Sequence, residues 1–300
     1  MSSLHDEELG APRVAVVLAS AGRPHLLGQA VRWCNAQVGR PFKGVVSVPD
    51  AASLPDDATA LEGWTVVTGT RGLAAQRNAG MDAVPDVDLV AFFDDDAVVR
   101  EDYLATAVDF LTQHPEVVGL TGRVLADGAV TGEISEADAE ELLEISRQEP
   151  APQWWTQTRE LYGCNFVVRT SPASALMFDS RLPLYSWLED HDYARRLMRR
   201  GLLAHVDDCV IVHRAAASGG RQSHVRLGYS QVMNPVYLLS KGSFPLWLAA
   251  HEIVFRGAKN VVLSTYGPSS KWRRERLRGN LLGVADVVRG RITPERAAQL

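Results

Sequence analysis

The sequence predicts an α/β fold with a mostly parallel sheet flanked by helices, and three observations predict it. Short uninterrupted runs of apolar and β-branched residues recur, as in strands buried on both faces. Segments with apolar residues at helical spacing alternate with those runs. One such run, Leu89–Phe93, ends abruptly in Asp94-Asp95-Asp96, and sites in sheets of this kind lie beyond the carboxyl ends of the strands.

The elements follow in order. Val14–Leu18 is the opening strand, Ser20–Pro24 a turn, and Leu26, Leu27, Ala30, Val31 and Cys34 mark the first helix. Val45–Val48, Trp64–Val67 and Leu89–Phe93 are further strands. Tyr103, Ala107, Phe110 and Leu111 give a helix that Pro115 stops, and Val117–Leu120 is the next strand. Asp127–Pro152 is acidic. It reads as a loop with a helix around Ala137–Ile145, either covering a site or projecting into solvent. After Trp154-Trp155 and Tyr162–Val168, a helix is expected over Glu189–Arg200 with Gly201 at its C-cap, then a strand over His205–His213. From Val225 onward helices are expected, broken at Pro235 and Pro245. The expected organisation is a flexible N-terminus over 1–12, an α/β catalytic unit over 13–224 and a helical extension over 225–300 packed on it.

Composition narrows the function. A net charge of -5 over 300 residues argues against a nucleic-acid partner, which selects for basic surplus. No apolar run approaches bilayer-spanning length. The candidates Val236–Leu239 and Phe244–Ala250 are split by Lys241 and Gly242. The polar start is not a secretory signal. Cys34, Cys164 and Cys209 have no metal-binding spacing and read as reduced thiols of a cytoplasmic protein. Trp247, Phe255 and Trp272, with Arg256, Lys259, Lys271, Arg273 and Arg274, admit two readings. They form a basic aromatic surface for peripheral contact with the inner face of the plasma membrane, or the exposed side of packed helices.

Four constellations carry chemistry. Three adjacent carboxylates repel one another, and a hard divalent cation, Mn²⁺ or Mg²⁺, bound to a diphosphate relieves that repulsion. The alternative for Asp94–Asp96 is a solvated acidic turn at a helix start. Arg71 and Arg77, in the segment RGLAAQRNAG, are either surface residues of a helix or groups that reach phosphate or base. Glu189 and Asp190 open a helix, where acidic residues are favoured anyway, yet one of them could act as general base on an acceptor hydroxyl. His213 ends a strand and is a structural imidazole or a ligand to the same cation.

These segments, in this order, resemble the family 2 glycosyltransferases of the GT-A type, a Rossmann-like α/β fold. VLASAGRPHLL is similar to the family's first strand and Arg-Pro turn, TRGLAAQRNAG to its nucleotide-binding segment, and FFDDDAVVREDYL to its metal-binding DxD segment. YGCNFVVRTS resembles the Gly-x-Asn segment at the acceptor side, and WLEDHDYARRLMRRG the catalytic Glu-Asp helix. The resemblance covers roughly Val14 to Arg214; GYSQVMNPVYLLSKG and the ending RGNLLGVADVVRGRITPER resemble members that build bacterial surface polysaccharides.

The resemblance implies roles. Asp94 would face the ribose or uracil side of the donor, Asp96 would bind the metal with His213 as a further ligand, and Asp95 would assist either. Asp190 would be the base, with Glu189 the runner-up, and Ala19, Ser20 and Arg23 would line the nucleotide. Many relatives carry a paired-Asp, Gly-Ser segment where this chain reads SVPDAAS, so Asp50 stands as a candidate contact to the base. The chain has no Gln-x-x-Arg-Trp segment and no spanning helices, which argues against a processive synthase. The expected activity is inverting, non-processive transfer from a nucleoside-diphosphate sugar to a saccharide or lipid-linked acceptor. Two rivals remain, a sugar nucleotidyltransferase and a non-catalytic nucleotide-sugar-binding protein.

Overall fold

The computed structural model describes residues 12–39, 41–148, 155–173, 176–216, 223–266 and 270–300. The expectations for residues 1–11, for 149–152 and for Trp154 lie outside the described residues.

In chain order the elements are β1 (Val14–Ala19), α1 (Pro24–Asn35), β2 (Phe42–Val48), β3 (Trp64–Thr68), α2 (Leu73–Asp82), β4 (Leu89–Asp94), β5 (Ala97–Val99) and α3 (Tyr103–Gln113). Then come β6 (Val117–Asp127), α4 (Gly128–Thr131), α5 (Glu136–Gln148), β7 (Trp155–Thr158), β8 (Asn165–Arg169), α6 (Thr170–Ala173), α7 (Glu189–Leu197) and β9 (Leu202–His213). Three long helices follow, α8 (His224–Ser240), α9 (Leu246–Leu263) and α10 (Ser270–Val288). The strands form one sheet in the order β3-β2-β1-β4-β8-β6-β9-β5, with β7 paired to β9. β1, β2, β3 and β4 run parallel, as do β6 and β9, while β8 runs against both of its neighbours.

Burial on both faces explains the continuous apolar runs. In β1, Val14, Val16 and Leu18 pack with α1 and α3, whereas Ala15 and Val17 pack on the face that holds α2 and α7. In β4, Leu89, Ala91 and Phe93 share the first face, and Val90 and Phe92 the second. A strand sandwiched this way has no polar side to display. Pro24 occupies the first turn of α1, where its missing N–H has no intrahelical acceptor to lose.

Three expectations differ from the structure. Gly201 is not a left-handed cap, because α7 ends at Leu197 and Met198 closes it in right-handed geometry. Gly201 is instead a contact glycine, for a Cβ there would meet Val118 Cγ1 at 2.4 Å. Pro235 does not break its helix; it lies buried inside α8. Tertiary contacts hold that helix together. Asn260 of α9, fully buried, donates to Gln231 Oε1 at 2.9 Å and to Asn280 Oδ1 at 2.8 Å, and Asn280 donates to the Gly228 carbonyl at 2.7 Å. The acidic stretch after Asp127 is not a free excursion in its described part. Its helix α5 docks on α1, where Glu136 accepts from Gln29 at 2.5 Å, from Trp33 Nε1 at 3.1 Å and from Arg32.

Candidate active site

Parallel pairing of β1 and β4 sets Ala19 beside Asp94, so the Ser20–Arg23 turn and the Asp triplet leave the sheet at one edge. A cleft of about 650 Å³ opens there. Ala19, Ser20, Arg23, Asp50, Arg71, Asp94 and Asp95 line one side, and Tyr185, Trp187, Arg226 and Leu300 the other. Gln76 anchors the floor, its amide donating to the Ser20 carbonyl at 2.8 Å and the Ser47 carbonyl at 2.7 Å. Asp50 sits at the rim, accepting from Ser53 at 3.0 Å and facing Arg71 at 3.5 Å.

The far wall is held in an unusual backbone. Leu184, Ser186 and Leu188 all have positive φ, at 58°, 51° and 72°. Side chains at such angles carry strain that the surroundings must hold. Ser186 supplies part of that hold, donating to the Leu182 carbonyl at 2.7 Å and accepting from the Ala74 amide at 3.2 Å. Asn234 of α8 fixes the Trp187 carbonyl at 2.8 Å.

The triplet divides its contacts. Ser20 Oγ donates to Asp95 at 2.5 Å, and Arg23 bridges Asp95 and Asp96 at 2.9 Å each. Burial pushes the Asp95 carboxyl up to about 7, against the pull of Arg23. Burial also raises Asp94. Asp96 is different. Burial would raise it too, but His213 and Arg23 outweigh that and hold it at about 2.

Asp94, Asp96 and His213 each present a ligand atom within 4.8 Å of the others. Asp96 Oδ2 accepts from Arg23 and, at 3.1 Å, from the Ala216 amide, while Oδ1 faces His213 Nε2 at 3.5 Å. On the other side of the ring, Nδ1 contacts Asp127 Oδ1 at 2.7 Å. Asp127 Oδ2 in turn accepts from the Tyr162 hydroxyl at 2.5 Å. Two carboxylates and an imidazole oriented by an outer carboxylate form a donor set that suits Mn²⁺ or Mg²⁺.

Beneath the triplet lies Arg77, 1% exposed. It pairs with Asp94 at 3.0 Å and with Glu189, and donates to the Gly163 carbonyl at 2.6 Å. The Phe92, Phe166 and Phe178 rings surround its guanidinium at 5.2–5.8 Å. Glu189 is 3% exposed, and burial raises its carboxyl to about 8 despite Arg77. Asp190 stands apart, partly exposed. Its Oδ2 accepts from the Gly163 amide at 3.1 Å and its Oδ1 from the His191 amide at 2.8 Å. A Cβ at 163 would meet Asp190 Oδ2 at 2.9 Å, so a larger residue there would displace that carboxylate.

The family model for glycosyl transferase family 2 matches residues 16–177, more than half of the chain. The chain belongs to glycosyl transferase family 2. Among solved structures, this glycosyltransferase is similar to the mannosyltransferase PcManGT from Pyrobaculum calidifontis, solved in complex with GDP-Man and Mn²⁺. The identity is 17% and the TM-score 0.59, over 93% of this chain and 88% of that one. It is also similar to TarS of S. aureus at 13% identity and a TM-score of 0.52, covering 86% of this chain and 44% of TarS. The shared fold is GT-A. A comparison with curated protein sequences finds no match.

The glycosyltransferase thus gathers its expected site residues in two groups. Ala19, Ser20, Arg23, Asp50, Arg71, Asp94 and Asp95 line the cleft, while Asp96 and His213 meet Asp94 beside it. Arg77 is not a cleft residue. It lies under the site and joins Asp94, Glu189 and Gly163, where sequence reasoning placed it either on a helix surface or on phosphate or base. Asn165 of the Gly-x-Asn segment is likewise internal, accepting from Tyr103 and from the Gly122 amide. Sequence reasoning did not find Gln76, Asp127 or Tyr162. Asp127 carried no signal in the chain alone, because its approach to His213 depends on the pairing of β6 with β9.

Proposed function

We propose that this glycosyltransferase moves one sugar per encounter from a nucleoside-diphosphate sugar to a hydroxyl acceptor, with inversion and with Mn²⁺ or Mg²⁺. The observation that carries the reading is the division of labour within Glu189-Asp190. Glu189 is buried against Arg77, which removes it from any encounter with an acceptor, and the partly exposed Asp190 is left as the base. A neighbour solved with GDP-Man and Mn²⁺ supports the donor class and the metal.

Asp94, Asp96 and His213 would hold the cation, which supplies charge neutralisation to the departing diphosphate. The remaining work falls to side chains. Ser20, Arg23, Asp50 and Arg71 orient the nucleotide along the cleft. Asp190 accepts the acceptor proton as that oxygen forms its bond to C1 of the donor sugar. The C1–O bond to the diphosphate breaks on the opposite face, and its electron pair leaves with the nucleoside diphosphate. Attack from the face opposite departure inverts C1. The cleft wall at Tyr185 and Trp187 would face a saccharide or lipid-linked acceptor. Assembly of surface polysaccharide or glycolipid at the cytoplasmic side is the proposed setting.

The test is donor hydrolysis and thermal shift over a panel of nucleotide sugars, each with Mn²⁺, Mg²⁺ or EDTA. The expected result is metal-dependent stabilisation by one nucleotide class, with slow hydrolysis that Asp96→Ala abolishes. Release of pyrophosphate from a nucleoside triphosphate would assign a sugar nucleotidyltransferase instead. Donor binding with neither hydrolysis nor transfer would assign a binding protein.

A further inference from the structure

The helices that follow the catalytic sheet carry a surface that the transfer reaction does not use. On α9, Leu246, Trp247, Val254, Phe255, Val261 and Val262 are each 51–69% exposed. They recur at intervals of about two helical turns and so form one apolar row along a helix roughly 27 Å long. The opposite face, with Leu248, Ala249 and Asn260, is buried. The one acidic residue of α9, Glu252, is 12% exposed at its side chain and pairs with Arg256, so the outward row carries no free anion. Lys259 and, on the neighbouring α10, Lys271, Arg274 and Arg278 are exposed, as is Glu275. The segment 270–278 holds five Lys and Arg against a single Glu, in a chain whose net charge is -5.

We propose that α9 and the basic start of α10 dock on an anionic lipid bilayer. Apolar side chains enter the headgroup boundary while lysines and arginines meet lipid phosphates. The charges decide against a second copy of this chain, because a twofold contact through the row would set like charges against one another. No described helix is long and apolar enough to cross a membrane, so the contact lies in the interface plane. α8, which carries α9, also lines the cleft through Arg226, Leu227 and Ser230. Docking would therefore hold the cleft near the bilayer surface.

The experiment is co-sedimentation of the full chain with vesicles of phosphatidylcholine alone or mixed with phosphatidylglycerol. Binding to the mixed vesicles is expected to exceed neutral binding by about tenfold or more and to weaken with salt. Trp247→Glu with Phe255→Glu should abolish it, and Lys271→Glu with Arg274→Glu should reduce it by about tenfold, each with an unchanged unfolding midpoint. Should those variants fold poorly, the parent chain still reports. Brominated lipid should quench its fluorescence, and Trp247→Phe should remove most of that quenching. Equal recovery with and without vesicles would overturn the proposal. So would a concentration-dependent dimer that Phe255→Glu dissociates and that anionic vesicles fail to compete.

Discussion

His213 Nδ1 lies 2.7 Å from Oδ1 of Asp127, and the same ring turns Nε2 toward Asp96 at 3.5 Å. The carboxylate behind the imidazole fixes which nitrogen faces the two aspartates. Tyr162, bonded to the far oxygen of Asp127, fixes the carboxylate in turn. Orientation of this kind raises the basicity of a ligand imidazole and keeps it aimed.

Asp127→Asn is therefore expected to weaken Mn²⁺ affinity by roughly 10–100-fold, the usual loss when an outer partner of a ligand histidine is removed. Titration of metal followed by thermal shift measures it. A drop in unfolding midpoint that is the same in EDTA and in saturating Mn²⁺ would show that Asp127 serves only the fold.

The two neighbours at the start of α7 should respond to substitution in opposite ways. Asp190→Asn should lower kcat by about 10²–10⁴-fold with donor affinity in place, at a stability cost of only about 1 kcal/mol for the one backbone amide that loses its acceptor. Glu189→Gln disturbs one arm of the buried Arg77 fork while Asp94 still pairs with the cation, and should destabilise the fold by roughly 1–3 kcal/mol. Urea unfolding beside steady-state kinetics separates the two. Full turnover in Asp190→Asn would falsify the assignment of the base.

Arg77 answers to geometry as well as charge. Its fork reaches Asp94, Glu189 and the Gly163 carbonyl at once. Lysine, a point charge on a flexible stem, cannot reproduce that fan. Arg77→Lys is expected to cost about 2 kcal/mol or more of unfolding free energy. A Lys variant as stable as the parent would show that charge alone suffices.

Acid should loosen the C-terminal helices through Asp179. Burial would raise this carboxyl, but Lys241 and Tyr237 hold it below the ordinary range. Lys241 Nζ sits 2.6 Å from Asp179 and 2.9 Å from Asp192, tying the end of α8 to α7. A depressed folded-state value means that the stabilisation is fully present above roughly pH 4, the unfolded value. It is lost as pH falls through the folded one. Unfolding free energies from neutral pH down to about pH 3 should fall less steeply in Asp179→Asn than in the parent. Parallel slopes would remove Asp179 from the acid limb.

Much of this was legible in the chain. Val14–Leu18, Leu89–Phe93 and Trp64–Val67 announced buried strands because strands covered on both faces leave no polar register to confuse the pattern. Asp94–Asp96 stood out because three like charges at the end of a buried strand repel one another, whereas Glu189-Asp190 stood out only through the family resemblance, since a helix start favours acidic residues anyway. Local sequence did not distinguish Glu189 from Asp190, and it misjudged Pro235 and Gly201. A proline costs an isolated helix about 3 kcal/mol, and the tertiary contacts that bury α8 on several sides outweigh that.

The sequence by itself determined the alternation of the first strands and helices, the edge of the sheet where the acidic residues gather, and the family. Periodicity and local charge are properties of neighbours along the chain. The tertiary structure decided which residues share one site. Arg77 and Glu189, 112 positions apart, pair inside the protein, and Asp127 meets His213 across 86 positions. Such pairings arise from the burial of charge among distant strands. No window of local sequence records them.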